Sequence, residues 1–240
     1  MEKKRVVITG LGALTPVGNT YAEFWDSVKN GRCGIGPITA YDTSGRAVRL
    51  AGEVRLDTEA IIPRNEARKM DRFTLLAVIA AREAIENSGV SSENTDLTRA
   101  GILIASGIGG LSTIAEEHTR GEERGYDKVS PFFIPMAIAN IASGRVAIES
   151  GFTGPCSCVV TACAAGTNAV GDGMRMIRHG YADVMLCGGS DACVSKLAIG
   201  GFTSMRALHT GGDPSRASIP FDMERSGFVL GEGAGMLMLE

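Results

Sequence analysis

Short apolar runs recur along the chain, and each is followed by glycine residues or by a segment with helical spacing. Residues 5–8, 100–105 and 183–187 are the clearest of these runs. A short apolar run bounded by turn residues predicts a buried strand. Residues 157–161, which are rich in β-branched side chains, predict a fourth strand.

The clearest amphipathic helix is predicted over residues 66–87. Its apolar positions follow helical spacing, and Ser88-Gly89 supplies a typical helix end. These apolar positions are Met70, Phe73, Ala77, Ala80 and Ala84. A second helix is predicted over residues 19–29, with Phe24, Trp25 and Val28 directed inward. Further helices are predicted over residues 111–119, 135–151 and 164–179.

This order of elements predicts the class of fold. Strands that alternate with helices imply a mainly parallel sheet with helices on both faces. Residues 228–231 and 234–239 predict two last strands, which we expect to be an antiparallel addition. No repeat or linker interrupts the pattern, so a single domain is expected over residues 1–240.

Composition narrows the functional classes. The net charge of -3, from 24 basic and 27 acidic residues, is too small to attract nucleic acid or an anionic membrane over the whole surface. A hydrophobic content of 44% excludes a disordered chain. No apolar stretch approaches the ~18 residues of a transmembrane helix, and the basic start, Met1-Glu-Lys-Lys-Arg, lacks the apolar core of a secretion signal. A cytoplasmic protein with reduced cysteines is therefore expected.

Candidate chemistry centres on Cys163. A β-branched run leads into Thr-Ala-Cys-Ala-Ala-Gly, so the cysteine should sit on a sharp turn at the start of a helix. Backbone N–H groups at a helix N-terminus stabilise anions, which favours a thiolate nucleophile. The small neighbours let a substrate approach closely. The alternative interpretation is a small buried hydrophobic residue.

Residues 161–166 resemble the active-site segment of the β-ketoacyl-[acyl carrier protein] synthases, the condensing enzymes of fatty acid synthesis. Other segments resemble this family in the same order, and the resemblance covers the whole chain. The elongating synthases of type II give the best match. These segments are Val6-Val-Ile-Thr-Gly-Leu-Gly, Pro16-Val-Gly-Asn, Ser106-Gly-Ile-Gly-Gly, Ser130-Pro-Phe-Phe, Ala182-Asp-Val-Met, Gly200-Gly-Phe, Arg206-Ala-Leu, Pro220-Phe-Asp and Gly227-Phe-Val-Leu-Gly-Glu-Gly-Ala-Gly.

The resemblance implies a thiolase-like fold built of two similar α/β halves. This sequence resembles only the first half, a mixed, mostly parallel five-stranded sheet layered with helices (α-β-α). In the family, two histidines and a lysine that support decarboxylation come from the second half. His118, His179 and His209 fall outside the matching motifs, and we expect them to be ordinary surface residues. Because the chain also stops at Glu240 in a strand-like run, an incomplete fragment is expected.

The resemblance also implies a reaction. Cys163 takes an acyl chain from acyl carrier protein, and malonyl-carrier then loses carbon dioxide and attacks the acyl-cysteine. The backbone N–H of Cys163, with another N–H from the second half, would form the oxyanion hole. Neither a metal nor a cofactor is implied. Residues 157–160 should pair with their twin across a dimer axis, so a homodimer is expected.

Three apolar residues lie in segments that the family uses for the acyl chain. Ile108 and Phe202 correspond to the pocket or its approach, and Phe133 to the pocket end near the subunit boundary. Plain core packing is the alternative for each, and the two roles are compatible in a tunnel for an alkyl chain.

A basic stretch at residues 64–72 predicts where an acidic carrier protein docks. Arg64, Arg68 and Arg72 are four residues apart, so they should share one face of a helix, with Lys69 beside them. Lys128 and Arg206 are further docking candidates. The alternative is a solvated helix face on which Glu66 and Asp71 neutralise these cations.

Several rival interpretations stay open. Cys156, Cys158 and Cys163 lack a histidine or a second cysteine pair that would complete a tetrahedral metal site, whereas Cys187 and Cys193 look like buried structural thiols. A thiolase would share the fold and the cysteine. A polyketide-type ketosynthase is a nearer rival. A non-catalytic truncated or partner subunit would only dimerise or dock carrier protein.

Overall fold

The computed structural model describes residues 4–240, without the side chain of Glu59; Met1–Lys3 of the basic start lie outside this range. The strands are β1 (Ile8–Leu14), β2 (Ile35–Pro37), β3 (Leu50–Gly52), β4 (Ala100–Ala105), β5 (Cys156–Ser157), β6 (Val184–Asp191) and β7 (Gly233–Leu239). The α-helices are α1 (Tyr21–Lys29), α2 (Arg64–Ala67), α3 (Arg72–Ser88), α4 (Leu111–Arg124), α5 (Phe133–Ala137), α6 (Ile141–Ser150), α7 (Ala165–Arg178) and α8 (Lys196–Ser204). Short 3-10 turns span Thr58–Ala60, Leu97–Arg99, Tyr126–Lys128, Ala162–Ala164 and Pro214–Arg216.

Within residues 4–240, five strands form one mixed sheet in the order β1-β7-β6-β4-β5, and β2 pairs with β3 separately. Strand β6 pairs with β4 in parallel, and so does β5. Strand β7 is antiparallel to both β1 and β6. A mixed sheet with helices on both faces is therefore confirmed. The last strand lies inside the sheet, however, and does not pair with residues 228–231 at its edge.

Alternate side chains of the strands point to opposite faces and enter separate cores. Ile102 and Ile104 of β4 lie in the core beneath α3 and α6. Leu103 and Ala105 lie in the core beneath α7. Residues of β4 are fully buried on both faces, which explains why its sequence reads as a continuous apolar run.

The first strand begins later than predicted. Residues 5–8 are the expected strand, yet β1 runs through Gly10 and Gly12, where the sequence predicts a loop. Both glycines pack directly under α3. A Cβ on Gly12 would lie 1.9 Å from the carbonyl oxygen of Ala80, and one on Gly10 would lie 2.1 Å from that of Ala84. These glycines permit close packing of helix on strand and do not mark a turn.

The long helix predicted over residues 66–87 is two helices. Helix α2 ends at Ala67, and α3 begins at Arg72 after its N-cap residue, Asp71. The Asp71 carboxylate accepts from the N–H of Phe73 (3.2 Å) and from the N–H and hydroxyl of Thr113 (3.0 and 2.7 Å). It therefore ties the start of α3 to α4. The predicted end of α3 is confirmed, because Gly89 caps it in the left-handed conformation.

Other differences follow from tertiary packing. The strand predicted over 157–161 is limited to the two residues of β5. The helix predicted over 135–151 is interrupted between α5 and α6. Trp25 and Val28 of α1 are exposed, contrary to the prediction that they face inward. None of the helices between residues 4 and 240 is both long and apolar enough to cross a membrane.

The two edges of the sheet differ. At the β1 edge, the outward N–H groups of Leu11 and Ala13 donate to side chains of α3, namely Asn87 Oδ1 (3.0 Å) and Glu83 Oε2 (2.9 Å). Among the described residues, no strand pairs with the outer edge of β5, and both of its residues are exposed. In the part of the chain that the structure describes, the β5 edge is therefore the more accessible of the two for pairing with another strand.

Replacement of Glu83 by alanine should destabilise the protein by about 2 kcal/mol, because each hydrogen bond to a charged acceptor contributes ~1.5–3 kcal/mol. Its carboxylate accepts from Ala13 and also from the first N–H of α1, that of Tyr21 (2.9 Å). Urea denaturation measures the loss. The control is Glu86→Ala on the exposed surface of the same helix, for which a change within about 0.5 kcal/mol is expected. Equal losses for the two variants would contradict this role of Glu83.

Candidate active site

Cys163 lies on a sharp turn between β5 and α7, in the middle of the 3-10 turn Ala162–Ala164. Ala162 has a φ of 51°, in the left-handed region that non-glycine residues rarely adopt. Strained backbone of this kind persists only where the surroundings hold it, and it occurs often at functional sites. The turn leaves Cys163 exposed. The expected strand-turn-helix geometry is thus present, with β5 shorter than predicted.

The turn leads into the N-terminus of a helix of 14 residues, α7. Its N-cap residue, Ala164, has no polar side chain to bond the first N–H groups of the helix. Gly166 lies against β6, where a Cβ would be 3.6 Å from Gly189 Cα. The small residues bring the helix end close to the sheet. This arrangement can stabilise negative charge at the cysteine.

Cys163 opens into a cleft of about 420 Å³. The cleft lies at the edge where the parallel strands β5, β4 and β6 end, a usual position for ligand sites in α/β sheets. Its lining includes Thr15, Phe24, Gly166, Asp191 and the glycine-rich segment 231–235.

Two acidic side chains that line this cleft, Asp191 and Glu232, accept hydrogen bonds from other parts of the protein. Asp191 accepts from the hydroxyl of Ser106 (2.8 Å) and from the N–H of Gly107 (3.0 and 3.1 Å). Glu232, whose side chain is 3% exposed, accepts from Arg72 Nε (2.8 Å) and Nη2 (2.6 Å) and from the N–H of Val54 (2.8 Å). The contact with Glu232 raises the pKa of Arg72.

The three apolar pocket candidates do not line the Cys163 cleft. Ile108 is exposed on the loop after β4. Phe133 begins α5 and is half-buried. Phe202 lies on α8, where its ring packs edge-on against that of Phe228 at a centroid distance of 5.8 Å. Phe202 is thus packed against another aromatic ring, which is compatible with a pocket wall, and the side chain of Ile108 is accessible.

The docking candidates are exposed, but they do not form the predicted helix face. Arg64 begins α2 and Arg68 is its C-cap residue, whereas Arg72 begins α3 and pairs with the buried Glu232. The shared face of Arg64, Arg68 and Arg72 is thus wrong, because the helix breaks before Asp71. Lys69 pairs with Glu66 (3.1 Å), and Lys128 pairs with Asp127 (3.1 Å). Arg206 is exposed, with a φ of 55°.

Burial distinguishes Cys163 from Cys187 and Cys193, whereas Cys33 and Cys156 are exposed like Cys163. Cys187 and Cys193 are buried, as expected, and burial raises the pKa of each thiol to about 12. Burial also raises the pKa of Cys156 and Cys158. Between residues 4 and 240, no group of three or more His, Cys, Asp and Glu residues is arranged to hold a metal ion.

The histidines lie away from this cleft. His118 is exposed and contacts Tyr126, and His179 is exposed at the C-cap of α7. His209 is only half-exposed. Its Nδ1 contacts Ser226, and among the described residues its buried Nε2 has no partner.

Sequence reasoning missed Asp191, Ser106 and Glu232. Asp191 is the last residue of β6, Ser106 directly follows β4 and Glu232 directly precedes β7; the ends of parallel strands are a usual position for site residues. Their contacts are made across distant parts of the chain, so local patterns could not predict them. The one available signal was a polar residue at the end of an apolar strand, as in Ser190-Asp191.

Comparison with known proteins assigns the family. Residues 3–240 match the model of the β-ketoacyl synthase N-terminal domain. The chain is 49% identical to 3-oxoacyl-[acyl-carrier-protein] synthase 2 of Synechocystis sp. and 45% identical to that of Staphylococcus aureus; in each case it is covered fully and spans 58% of the relative. A solved type II polyketide acyl carrier protein in complex with its ketosynthase bound to the hexaketide (AntDE:AntF) matches 100% of this chain and 58% of that chain, with a TM-score of 0.87 and 31% identity. The chain therefore has the thiolase-like ketosynthase fold and belongs to the β-ketoacyl synthase family.

Proposed function

We propose that this chain is the N-terminal half of a 3-oxoacyl-[acyl-carrier-protein] synthase of type II (EC 2.3.1.179), a cytoplasmic acyltransferase of fatty acid biosynthesis. The observation that carries the proposal is the exposed Cys163 on a strained turn at the N-terminus of α7. The sequence relationship to two synthases of this name supports the same reaction.

The first half-reaction transfers an acyl chain to the cysteine. Cys163 Sγ attacks the thioester carbonyl of acyl carrier protein, and negative charge develops on the carbonyl oxygen. The N–H of Cys163 and the end of α7 stabilise that charge. The carrier thiol leaves with the proton that the cysteine gave up, and the acyl chain stays on Sγ as a thioester.

The second half-reaction makes the carbon–carbon bond. Malonyl-carrier loses carbon dioxide, and the carbanion left at its α-carbon attacks the acyl-cysteine carbonyl. The C–S bond to Cys163 breaks, so 3-oxoacyl-carrier forms and the thiolate is regenerated. The relatives extend well beyond the part matched here. We assign the two histidines and the lysine that assist decarboxylation to that further part, so the chain alone should not complete condensation.

Acyl carrier protein is the proposed macromolecular partner. Its acidic surface would meet exposed cations: Lys128 pairs with the exposed Asp127, and Lys69 pairs with the half-buried Glu66 and lies over the ring of Phe132. Exposed ion pairs contribute little, so an acidic partner exchanges them at low cost. The polyketide complex contains a carrier protein bound to its ketosynthase, which supports this class of partner. The proposed docking residues are Arg64, Arg68, Lys69, Lys128 and Arg206.

A homodimer is proposed through the β5 edge. That edge is short and exposed, whereas side chains of α3 occupy the N–H groups of the β1 edge. Antiparallel pairing of two β5 edges would extend the five-stranded sheet across a twofold axis. Phe133 would then lie near the subunit boundary, with Ile108 and Phe202 toward the acyl pocket.

A polyketide-type ketosynthase is the second candidate. The match to a polyketide ketosynthase complex favours it, although the identity is 31% against 49% for the fatty acid synthase relative. The two candidates differ in the acyl group that they accept, because a straight alkyl chain needs an apolar channel whereas a polyketide carries oxygen at alternate carbons. A non-catalytic subunit has no use for an exposed cysteine on such a turn.

Intact mass spectrometry of the 240-residue chain tests the proposal. After incubation with palmitoyl-carrier thioester, an acyl adduct is expected on the wild-type chain and none on Cys163→Ala. The matched control is Cys33→Ala, because Cys33 is a second exposed thiol. It should be acylated like the wild type.

The adduct locates the nucleophile. An adduct that persists in Cys163→Ala would place the acyl group on another residue and would contradict the assignment of Cys163. A folded wild-type chain that takes no acyl group would contradict acyl transfer by this part of the protein alone.

A further inference from the structure

Asp191 occupies a position that the proposed reaction does not yet use. It is the last residue of β6, and it lines the same cleft as Cys163. The neighbouring strand β4 ends at Ala105, which is in register with Gly189. Strand β5, which leads to the Cys163 turn, pairs with the other side of β4. Three parallel strand ends thus bring Asp191, the loop after β4 and the Cys163 turn together.

The carboxylate of Asp191 organises the loop of residues 106–110. Ser106 Oγ donates to Oδ1 at 2.8 Å, and the N–H of Gly107 lies 3.1 and 3.0 Å from the two carboxylate oxygens. Ser106 Oγ in turn accepts from the N–H of Gly109 at 2.9 Å. Ser106 is 1% exposed. Buried hydrogen bonds to an ionised acceptor are stronger than neutral ones, so this loop has one well-defined shape.

The loop faces the cysteine turn at Gly107, with room for about one methyl group between them. A methyl group on Gly107 would lie 3.4 Å from Asp191 Oδ2 and 3.7 Å from the carbonyl oxygen of Ala162. Ala162 is the residue with the left-handed backbone, immediately before Cys163. The far side of the loop is also held, because the N–H of Gly110 donates to the carbonyl of Ala137 at 3.0 Å. The loop is therefore held directly beside the carbonyl of Ala162, at the cysteine turn.

The same loop exposes an apolar side chain. Ile108 follows Gly107 directly and is 42% exposed. Its backbone neighbours on both sides are fixed by the Asp191–Ser106 hydrogen bonds. The position of this side chain relative to Cys163 is therefore set by a carboxylate on another strand.

We propose that Asp191 is a positioning residue, whose carboxylate holds the 106–110 loop against the Cys163 turn and so sets where Ile108 meets the acyl chain of the incoming thioester. This inference rests on the proposed function for its acyl substrate, but the positioning itself does not. No bond to Asp191 forms or breaks in the reaction.

The test compares substitutions in the Asp191–Ser106 network with a substitution at the opposite end of β6. Asp191→Asn keeps the size of the side chain, but it removes the charge and turns an amide N–H₂ toward the groups that donate to Asp191. Ser106→Ala removes the other half of the same network, and Asp191→Glu is the conservative variant. The control is Asp183→Asn, just before the strand, which loses an exposed ion pair with Arg99. Thermal unfolding by circular dichroism identifies variants that remain folded.

The first readout is chain-length selectivity. Acylation of Cys163 is followed by mass spectrometry with hexanoyl- and palmitoyl-carrier, and the ratio of the two rates should change by about tenfold or more in Asp191→Asn and Ser106→Ala, because small misplacements cost large factors in reactivity. Asp191→Glu should restore part of the wild-type ratio. Asp183→Asn should keep the wild-type ratio. Alkylation of Cys163 by iodoacetamide, which needs no acyl pocket, should stay within roughly threefold in all variants.

The second readout is amide hydrogen exchange, which needs no substrate. In Asp191→Asn, amides of residues 106–110 and of residues 161–164 should exchange about tenfold faster, because local opening requires less free energy. In Asp183→Asn both segments should keep wild-type protection.

The outcomes separate the positioning role of Asp191 from the acyl transfer of the proposed function. Acylation of the wild-type chain, with an unchanged chain-length ratio and unchanged exchange in Asp191→Asn and Ser106→Ala, would overturn the positioning role. Faster exchange in the loop alone, with no change at the Cys163 turn, would overturn the coupling between them. A wild-type chain that takes up no acyl group contradicts the proposed function and the acyl role of Ile108, while hydrogen exchange still decides whether Asp191 holds the loop on the turn.

Discussion

Alanine at position 12 should destabilise the protein by more than about 3 kcal/mol, because overpacking against immobile backbone is among the most costly single changes. A Cβ on Gly12 would lie 1.9 Å from the carbonyl oxygen of Ala80 and 2.9 Å from the N of Ala84. Both are backbone atoms of α3, so no side-chain rotation relieves the clash. The helix has to move away from β1, which opens the core beneath it.

Thermal and urea unfolding measure this loss, and Gly144→Ala is its matched control. Gly144 lies in α6, and a Cβ there meets nothing within 4 Å. Alanine should stabilise that helix by about 0.5–1 kcal/mol, because glycine has the larger conformational entropy when unfolded. For a chain of this size we expect Gly12→Ala to lower Tm by roughly 6–12 °C and Gly144→Ala to raise it by roughly 1–4 °C. A Gly12→Ala variant as stable as the wild type would disprove the packing of α3 on β1.

Glutamine at position 232 should cost about 3 kcal/mol, because one oxygen of a buried carboxylate is lost and each hydrogen bond to a charged acceptor contributes ~1.5–3 kcal/mol. Glu232 is nearly inaccessible and accepts three hydrogen bonds, two from Arg72 and one from the N–H of Val54. Glutamine keeps the shape but replaces one acceptor oxygen by an N–H₂ group. A donor then faces a donor, and the guanidinium loses its counter-charge.

Urea denaturation of Glu232→Gln beside Glu149→Gln tests the importance of burial. Glu149 also pairs with an arginine, Arg82, but both side chains are more than a third exposed. An exposed pair contributes ~0–1 kcal/mol. Similar losses for the two variants would show that the buried pair contributes no more than a surface pair.

Some elements of the fold are encoded locally, and the sequence predicted these well. Strand β4 has the predicted bounds, since both of its faces are buried and its apolar run stops at Ser106. Helix α7 is within one residue of its prediction, because glycine at position 180 follows a strongly amphipathic segment. In these elements, propensity, patterning and tertiary packing agree.

Other elements depend on contacts that a local pattern does not contain. Gly10 and Gly12 are typical of a loop in isolation, but in the structure they are strand residues because α3 lies directly on them. The helix break at Asp71 depends partly on Thr113, which is distant in sequence. Tertiary contacts determine the boundaries in both cases.

The candidate site also combines a part that is encoded locally with parts that depend on tertiary contacts. The turn at Cys163 could be predicted, because its β-branched run, small residues and helix start are adjacent in sequence. The groups around it come from the ends of three strands and from the segment before β7. Asp191 and Ser106 meet only when β4 and β6 pair, and Arg72 reaches Glu232 only when α3 packs on the sheet.

The unequal edges of the sheet limit how far strand-to-strand association can proceed. A molecule with two accessible edges accepts a neighbour on either side, so identical copies add without end and grow into a filament. Here Glu83 and Asn87 of α3 occupy the β1 edge. A twofold pair formed through β5 would consume the accessible edge of each copy, and growth would stop at two. In such a dimer, two side chains on one helix would protect the protein against polymerisation.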